Sequence, residues 1–99
     1  MLQLVGLARR AGFAVVGTRA VRDAARRSEI SVVVVAEDAT ANARKRMHGL
    51  LVEPDIEVVA CGTRSDLGRA VGRQEAVVVG IRDSGIGRRI VGEVQGTTE

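Results

Sequence analysis

Apolar and polar positions along this chain follow two different periods. Where apolar residues recur three and four positions apart, the pattern predicts an amphipathic helix, and a short continuous apolar run predicts a buried strand. Helices are expected at 2–11, 19–28, 40–52, 63–72 and from 84 onward, and strands at 13–16, 31–36, 56–61 and 76–81. The two kinds of element alternate along nearly the whole chain.

This alternation predicts the fold class. Strands that alternate with helices indicate an α/β domain whose sheet is covered on both sides, here a three-layer α/β/α arrangement. The four valines at 32–35 are typical of a strand buried on both faces. The three longer strands are expected to be mainly parallel. Thr18, Thr40 and Thr63 are expected to cap the helices that follow the strands at 13–16, 31–36 and 56–61. A length of 99 residues predicts one domain over residues 1–99.

The amino-acid composition indicates the cellular environment of the protein more clearly than its function. Hydrophobic residues make up 45% of the chain, which supports a packed core, and Phe13 is the one aromatic residue. No apolar run approaches the roughly 18 residues that a membrane span requires, so no membrane partner is expected. The single cysteine, Cys61, excludes an intrachain disulfide framework and favours a reducing, cytoplasmic location.

The chain is basic, and its basic residues are of one kind. The formal net charge is +3, and all of the 15 basic residues except Lys45 are arginine. Arginine suits bidentate contacts with phosphate, so this balance is compatible with a nucleic-acid partner. A GC-rich genome also favours arginine, and composition alone therefore does not demand such a partner.

Nucleotide-binding fingerprints are missing from the sequence. Gly85-Ile86-Gly87 is followed by Ile90 where a GxGxxG motif requires its third glycine, and no GxxxxGK[ST] motif occurs. A dinucleotide or P-loop site is therefore not expected, and neither a cofactor nor a small-molecule substrate is predicted.

Residues with acid–base, metal-binding or nucleophilic chemistry are scattered along the chain. Glu37 and Asp38 follow a predicted strand, where α/β domains place their sites, but they fit a solvated turn before a capped helix. His48 has no second ligand at metal-binding spacing. Cys61 fits a small hydrophobic residue at a strand end. The sequence therefore predicts no catalytic residue, no metal site and no enzyme.

Basic residues gather around a Gly-Thr turn. Gly17-Thr18 begins a predicted helix, whose first N–H groups and dipole favour an anion, and the neighbouring arginines make phosphate the expected one. Arg44 lies one turn into the helix predicted at 40–52, Arg64 begins the helix predicted at 63–72, and Arg73 lies with Gln74 in the loop before the last strand. An α/β fold can bring these places to one end of its sheet, although a solvated arginine face is the alternative at each position. The candidates from this pattern are Gly17, Thr18, Arg19, Arg22, Arg44, Arg64, Arg73 and Gln74.

Short sequence words follow one another in the order of a known family. They are LARRAG at 7–12, VGT at 16–18, VAEDA at 35–39, GT at 62–63, LGRAVG at 67–72 and AVV at 76–78. Together they resemble the ribosomal protein L7Ae family, and more narrowly its bacterial branch of small proteins similar to kink-turn RNA-binding proteins. The resemblance extends over nearly the whole chain.

The resemblance implies an α/β/α sandwich with a four-stranded mixed sheet. It also implies a non-catalytic RNA-binding protein of the ribosome or translation machinery, whose partners are a structured RNA, such as a kink-turn or internal loop, and translation proteins. The RNA-contacting segments of the family correspond here to 17–23, 36–44 and 72–77. The first of these segments adds Ala20 to the candidate site residues.

The chain departs from the family at the turn itself. Kink-turn binders of the family carry an Asn-Glu pair after the turn and a lysine one helical turn later, where this chain has Arg19, Ala20 and Asp23. Arg19 still suits a guanine edge or a phosphate, whereas Ala20 has no side-chain acceptor. The alternatives are a protein-interaction or regulatory module with weak or lost RNA binding, and a small anion- or nucleotide-binding domain.

Overall fold

The computed structural model describes residues 2–43, 45 and 56–96, with side chains as far as residue 93. The elements in chain order are α1 (Leu2–Arg10), β1 (Ala14–Val16), α2 (Thr18–Arg26), β2 (Val32–Val35), β3 (Glu57–Ala60), α3 (Arg64–Ala70), β4 (Val78–Ile81) and α4 (Ser84–Gly96). Residues 41–43 and 45 are also helical. Each of these elements confirms a predicted one with slightly shifted ends, and the rest of the helix predicted at 40–52 lies outside the described residues.

The strands form one mixed sheet in the order β1-β4-β2-β3. β2 and β3 are parallel, with Val32 opposite Glu57 and Val35 opposite Ala60, whereas β4 runs antiparallel to both β1 and β2. This arrangement confirms the four-stranded mixed sheet that the family resemblance implied.

The expectation that the three longer strands are mainly parallel is wrong for β4. For β4 to be parallel to β2, α3 would have to carry the chain to the opposite edge of the sheet, where β2 and β3 begin. Instead, the loop after α3 folds back on the helix, because the Arg73 N–H donates to the Gly68 carbonyl (2.8 Å). The Ala76 N–H likewise donates to the Arg64 carbonyl (3.0 Å). The chain therefore re-enters the sheet at the edge where β2 and β3 end.

Helices cover both faces of the sheet, which confirms the three layers. In β2, Val32 and Val34 pack against α1, α3 and α4, whereas Val33 and Val35 pack on the side of α2. Successive strand residues point to opposite faces of the sheet, and because helices cover both faces, all four valines are buried. The first cluster also contains Leu4, Val5, Ala8, Leu67, Val71, Val79, Ile81 and Ile90, and the second contains Val21, Ala24, Ala25, Ile30 and Val78.

Gly80 in β4 lets α2 lie close to the sheet. A Cβ atom at Gly80 would lie 2.8 Å from Ile30 Cδ1 and 3.3 Å from Val21 Cγ2. Val21 belongs to the first turn of α2. This close approach therefore holds the start of α2 against the sheet, which matters for the site described below.

Two predicted helix caps are confirmed. The Thr63 hydroxyl accepts a hydrogen bond from the Asp66 N–H (3.1 Å), and the Asp66 carboxylate accepts one from the Thr63 N–H (3.4 Å), which forms a capping box at α3. The Thr40 hydroxyl accepts a hydrogen bond from the Ala43 N–H (3.1 Å).

Candidate nucleic-acid interface

Four chain segments meet at one edge of the sheet, where β1, β2 and β3 end and β4 begins. Backbone hydrogen bonds join neighbouring segments. The Gly17 N–H donates to the Val78 carbonyl (3.1 Å), the Ala36 N–H to the Val77 carbonyl (2.9 Å), and the Glu37 N–H to the Gly62 carbonyl (2.7 Å). Since neighbouring strands lie about 4.8 Å apart, four strands span roughly 14 Å. We define the loop edge as residues 17–20, 36–40, 61–64 and 72–77.

The N-terminus of α2 presents unpartnered backbone donors at the loop edge. Gly17 occupies the N-cap position with φ of 102°, and no side chain caps the helix. The prediction that Thr18 is the cap is therefore wrong, because Thr18 is already the first helical residue. Within the described part of the chain, the N–H groups of Thr18, Arg19 and Ala20 have no hydrogen-bond partner, and all three residues are exposed. At the positive end of a nine-residue helix, these donors favour an anion.

Arg19 and Arg22 differ in how freely their guanidinium groups can contact an anion at the start of α2. Arg19 is exposed and forms no ion pair with any residue that the structure describes. Arg22 is partly buried, and its Nε lies 3.9 Å from an Asp23 carboxylate oxygen without forming a hydrogen bond. Asp23 therefore offsets part of the charge of Arg22, which leaves Arg19 as the freer guanidinium at the turn.

Arg64 reaches the loop edge, but its charge is already engaged. Asp38 Oδ1 accepts a hydrogen bond from the Arg64 N–H (2.8 Å), and Asp38 Oδ2 lies 3.5 Å from Arg64 Nε. A partly exposed ion pair of this kind contributes only about 0–1 kcal/mol to stability. Its main consequence is positional, because it holds the segment after β2 against the start of α3. The sequence interpretation of Asp38 as part of a solvated turn missed this contact.

Arg73 and Gln74 are exposed in the loop that leads into β4. This loop rests directly on the backbone of α3, since a Cβ atom at Gly68 would lie 2.6 Å from Glu75 Cα and 2.7 Å from Glu75 N. The position of the two exposed side chains therefore depends on the absence of a side chain at Gly68.

The structure brings most of the predicted site residues to one edge. Those on the loop edge are Gly17, Thr18, Arg19, Ala20, Arg64, Arg73 and Gln74, with Arg22 one turn into α2. Arg44 and His48 lie outside the described residues. Binding of RNA by these residues stays a prediction, since their proximity alone does not test it.

The sequence matches a known protein family over most of its length. The model of the ribosomal protein L7Ae/L30e/S12e/Gadd45 family matches residues 1–88. The chain belongs to this family. Because the matched residues include every segment of the loop edge, the candidate site lies within the domain that defines the L7Ae/L30e/S12e/Gadd45 family.

Relatives of this L7Ae-family chain include a bacterial protein described as RNA-binding. The chain is 30% identical over 88 residues to the RNA-binding protein YlxQ of Bacillus subtilis (strain 168), and the match covers 89% of this chain and 88% of YlxQ. A solved structure of a protein with unknown function from Bacillus halodurans has a TM-score of 0.88 at 32% identity and covers 95% of both chains. The 15.5kD RNA binding protein of Giardia lamblia has a TM-score of 0.78 at 22% identity, over 96% of this chain and 84% of its own, and supports the fold alone.

Other chemistry at the loop edge of this L7Ae-family chain is sparse. Burial raises the pKa of the Cys61 thiol above its usual value, so the thiol stays protonated and weakly nucleophilic at neutral pH. Among the described residues, no group of three His, Cys, Asp or Glu side chains is placed to hold a metal ion. None of the helices in that part of the chain has the length and apolar character needed to cross a bilayer.

Proposed function

We propose that this protein is a non-catalytic, cytoplasmic RNA-binding protein of the ribosome or translation machinery, and that its loop edge recognises a kinked or internal-loop RNA. The observation that carries the proposal is the set of unpartnered N–H groups of Thr18, Arg19 and Ala20 beside the exposed Arg19 guanidinium. Family membership supports RNA as the source of the anion, as does the relative YlxQ, whose name describes it as RNA-binding. The single cysteine supports a reducing compartment.

The proposed contact places an RNA phosphate at the start of α2. The phosphate oxygens accept hydrogen bonds from the N–H groups of this turn, while Arg19 neutralises their charge. Gly17 and Ala20 carry no bulky side chain, so the RNA backbone can approach the helix closely. Arg73 and Gln74 belong to the adjacent segment, because Gly17 is hydrogen-bonded to Val78 at the end of their loop. We therefore expect them to contact a neighbouring nucleotide.

Recognition at the loop edge does not require stacking on an aromatic side chain. Phe13 is the one aromatic residue of the chain, and it lies at the opposite edge of the sheet, where its carbonyl accepts a hydrogen bond from the Arg82 N–H (2.8 Å). Proteins that read single-stranded RNA commonly stack bases on aromatic rings. Backbone donors, guanidinium groups and small residues instead suit the shape of a bent RNA backbone.

A gel-shift titration tests the proposed function. We expect tighter binding to a kink-turn hairpin than to a sequence-scrambled duplex of the same length. About 3–5 phosphate contacts predict a slope of log affinity against log salt near −3 to −4. Equally weak, millimolar-range binding to both RNAs would overturn the proposal.

Replacing Asp38 with asparagine is expected to strengthen RNA binding. The asparagine oxygen can still accept a hydrogen bond from the Arg64 N–H, but the carboxylate charge that engages the Arg64 guanidinium is removed. Arg64 then becomes free to pair with a phosphate. One added phosphate contact predicts a salt slope steeper by about 0.9 and an affinity gain of roughly five- to tenfold near 0.1 M salt.

The substitution Glu29→Gln provides a matched control for this result. It also removes one carboxylate charge, and its ion pair with Arg82 Nη2 (3.5 Å) lies at the opposite edge of the sheet. We expect no change in the salt slope of the Glu29→Gln variant. An unchanged slope for Asp38→Asn, or equal changes in both variants, would contradict the release of Arg64.

A protein-interaction or regulatory module on the same fold is the second candidate function. Arg19, Ala20 and Asp23 differ from the residues of kink-turn binders. The structure adds two exposed apolar side chains, Leu7 and Phe13, each with 39% of its surface accessible. A protein partner captured by pull-down after nuclease treatment, together with no measurable RNA affinity, would favour this function over the first.

A further inference from the structure

The side chain of Arg9 occupies space that a glycine leaves open at the end of α3. A Cβ atom at Gly72 would lie 2.5 Å from Arg9 Nη2 and 2.7 Å from Arg9 Cζ. Gly72 has φ of 74°, a backbone conformation that glycine adopts without strain. The last turn of α1 therefore delivers a guanidinium group to Gly72, the first residue of the loop 72–77.

Arg9 reaches this position without a carboxylate partner among the described residues. The structure records no ion pair or hydrogen bond of its guanidinium there, and the residue is exposed. Next to Gly72 in the chain are Arg73 and Gln74, which are also exposed and lie on the loop edge. Arg9 thus adds, from α1, a positive charge that forms no ion pair among the described residues, beside the loop that carries Arg73 and Glu75.

A purely structural role is the competing explanation for this placement. The guanidinium of Arg10 also lies near the end of α3, since a Cβ atom at Gly6 would be 3.7 Å from Arg10 Nη1 and 3.6 Å from the Ala70 carbonyl oxygen. Positive charges near a helix C-terminus are stabilised by the helix dipole. Such a role predicts an effect on folding stability and none on a polyanionic ligand.

We propose that Arg9 contacts a phosphate of the bound RNA and so extends the RNA-binding surface from the loop 72–77 onto the end of α1. This inference rests on the proposed RNA-binding function. Its physical basis is the exposed, unpaired guanidinium at Gly72, one residue from Arg73. A phosphate held between the two arginines would receive hydrogen bonds from both sides.

Salt-dependent titration of Arg9→Ala, Arg9→Lys and Arg88→Ala with the kink-turn hairpin tests this contact. Loss of one phosphate contact predicts that Arg9→Ala flattens the salt slope by about 1 and weakens binding roughly five- to tenfold near 0.1 M salt. Arg9→Lys keeps the charge and is expected to retain the slope. Arg88 is exposed on α4, beside Ser31 and Glu57 at the opposite edge, so Arg88→Ala should bind as the unmodified protein does.

The outcomes separate this inference from the function on which it rests. If the unmodified protein binds neither the kink-turn hairpin nor the duplex, the proposed function fails and this contact with it. If the protein binds RNA but Arg9→Ala has an unchanged slope, or Arg88→Ala flattens the slope equally, only the Arg9 contact is overturned. A lower melting temperature of Arg9→Ala with an unchanged slope would assign Arg9 to the end of α3 alone.

Discussion

Replacing Arg19 with glutamate is expected to weaken RNA binding by about 2–3 kcal/mol, or roughly 30- to 150-fold. Arg19 is the exposed guanidinium beside the unpartnered N–H groups at the start of α2. The substitution removes its contact with the phosphate and places a carboxylate at the same position. Because this carboxylate competes for the backbone donors that would hold the phosphate, the loss should exceed that of Arg19→Ala. Gel-shift titrations of the two variants with the kink-turn hairpin measure both effects.

The same substitution is expected to stabilise the fold. A positive charge in the first turn of a helix opposes the helix dipole, whereas a negative charge there is favourable by about 0.3–1 kcal/mol. Arg19 occupies the second residue of α2. Thermal unfolding of Arg19→Glu should therefore show an unchanged or slightly higher melting temperature, so that unfolding does not account for the lost RNA affinity.

Arg27→Glu is the matched control, because Arg27 follows the last residue of the same helix. The nine residues of α2 rise by about 13 Å, which exceeds the Debye length of about 8 Å at 0.15 M salt. At this ionic strength we expect Arg27→Glu to keep its RNA affinity and to lose a little stability, since the charge now opposes the dipole. Equal losses of affinity in both variants would indicate a response to net charge and contradict a phosphate site at Arg19.

The elements of the fold were predictable because their signals are local. The four valines of β2 indicate burial on both faces whatever lies elsewhere in the chain. The direction of β4 was not predictable, since an apolar run reads the same in a parallel and an antiparallel strand. Its direction depends on backbone hydrogen bonds that Arg73 and Ala76 donate to the carbonyls of α3, and such bonds leave no signature in the sequence.

The candidate site was predictable in place but not in detail. The Gly17-Thr18 pair is a local sequence signal for the start of a helix, and in the structure this helix start lies on the loop edge. The availability of each arginine depends on tertiary contacts instead. Arg64 is engaged by Asp38, 26 residues earlier, and Arg9 meets Gly72 across most of the chain. No periodicity or motif connects either pair.

Replacing Gly68 with alanine is expected to destabilise the protein and to weaken RNA binding together. A Cβ atom at this position would lie within 2.8 Å of three backbone atoms of Gln74 and Glu75, so the loop 72–77 must move away from α3. Overpacking of this kind costs up to about 3 kcal/mol, of which alanine recovers about 1 kcal/mol through its helix propensity. A net loss near 2 kcal/mol lowers the melting temperature by roughly 8–16 °C. Displacement of Arg73 should also weaken binding to the kink-turn hairpin.

The same substitution at Gly92 is expected to act in the opposite direction. Gly92 lies within α4, and among the described residues outside the adjoining turns of that helix no atom would lie within 4 Å of a Cβ atom at this position. Gly92→Ala therefore gains helix propensity without a clash, which raises stability by about 0.5–1 kcal/mol and leaves RNA affinity unchanged. If Gly68→Ala stabilised the protein as Gly92→Ala does, the contact between α3 and the loop would not be as close as described. If Gly68→Ala lost stability but bound RNA normally, the loop 72–77 would lie outside the RNA-binding surface.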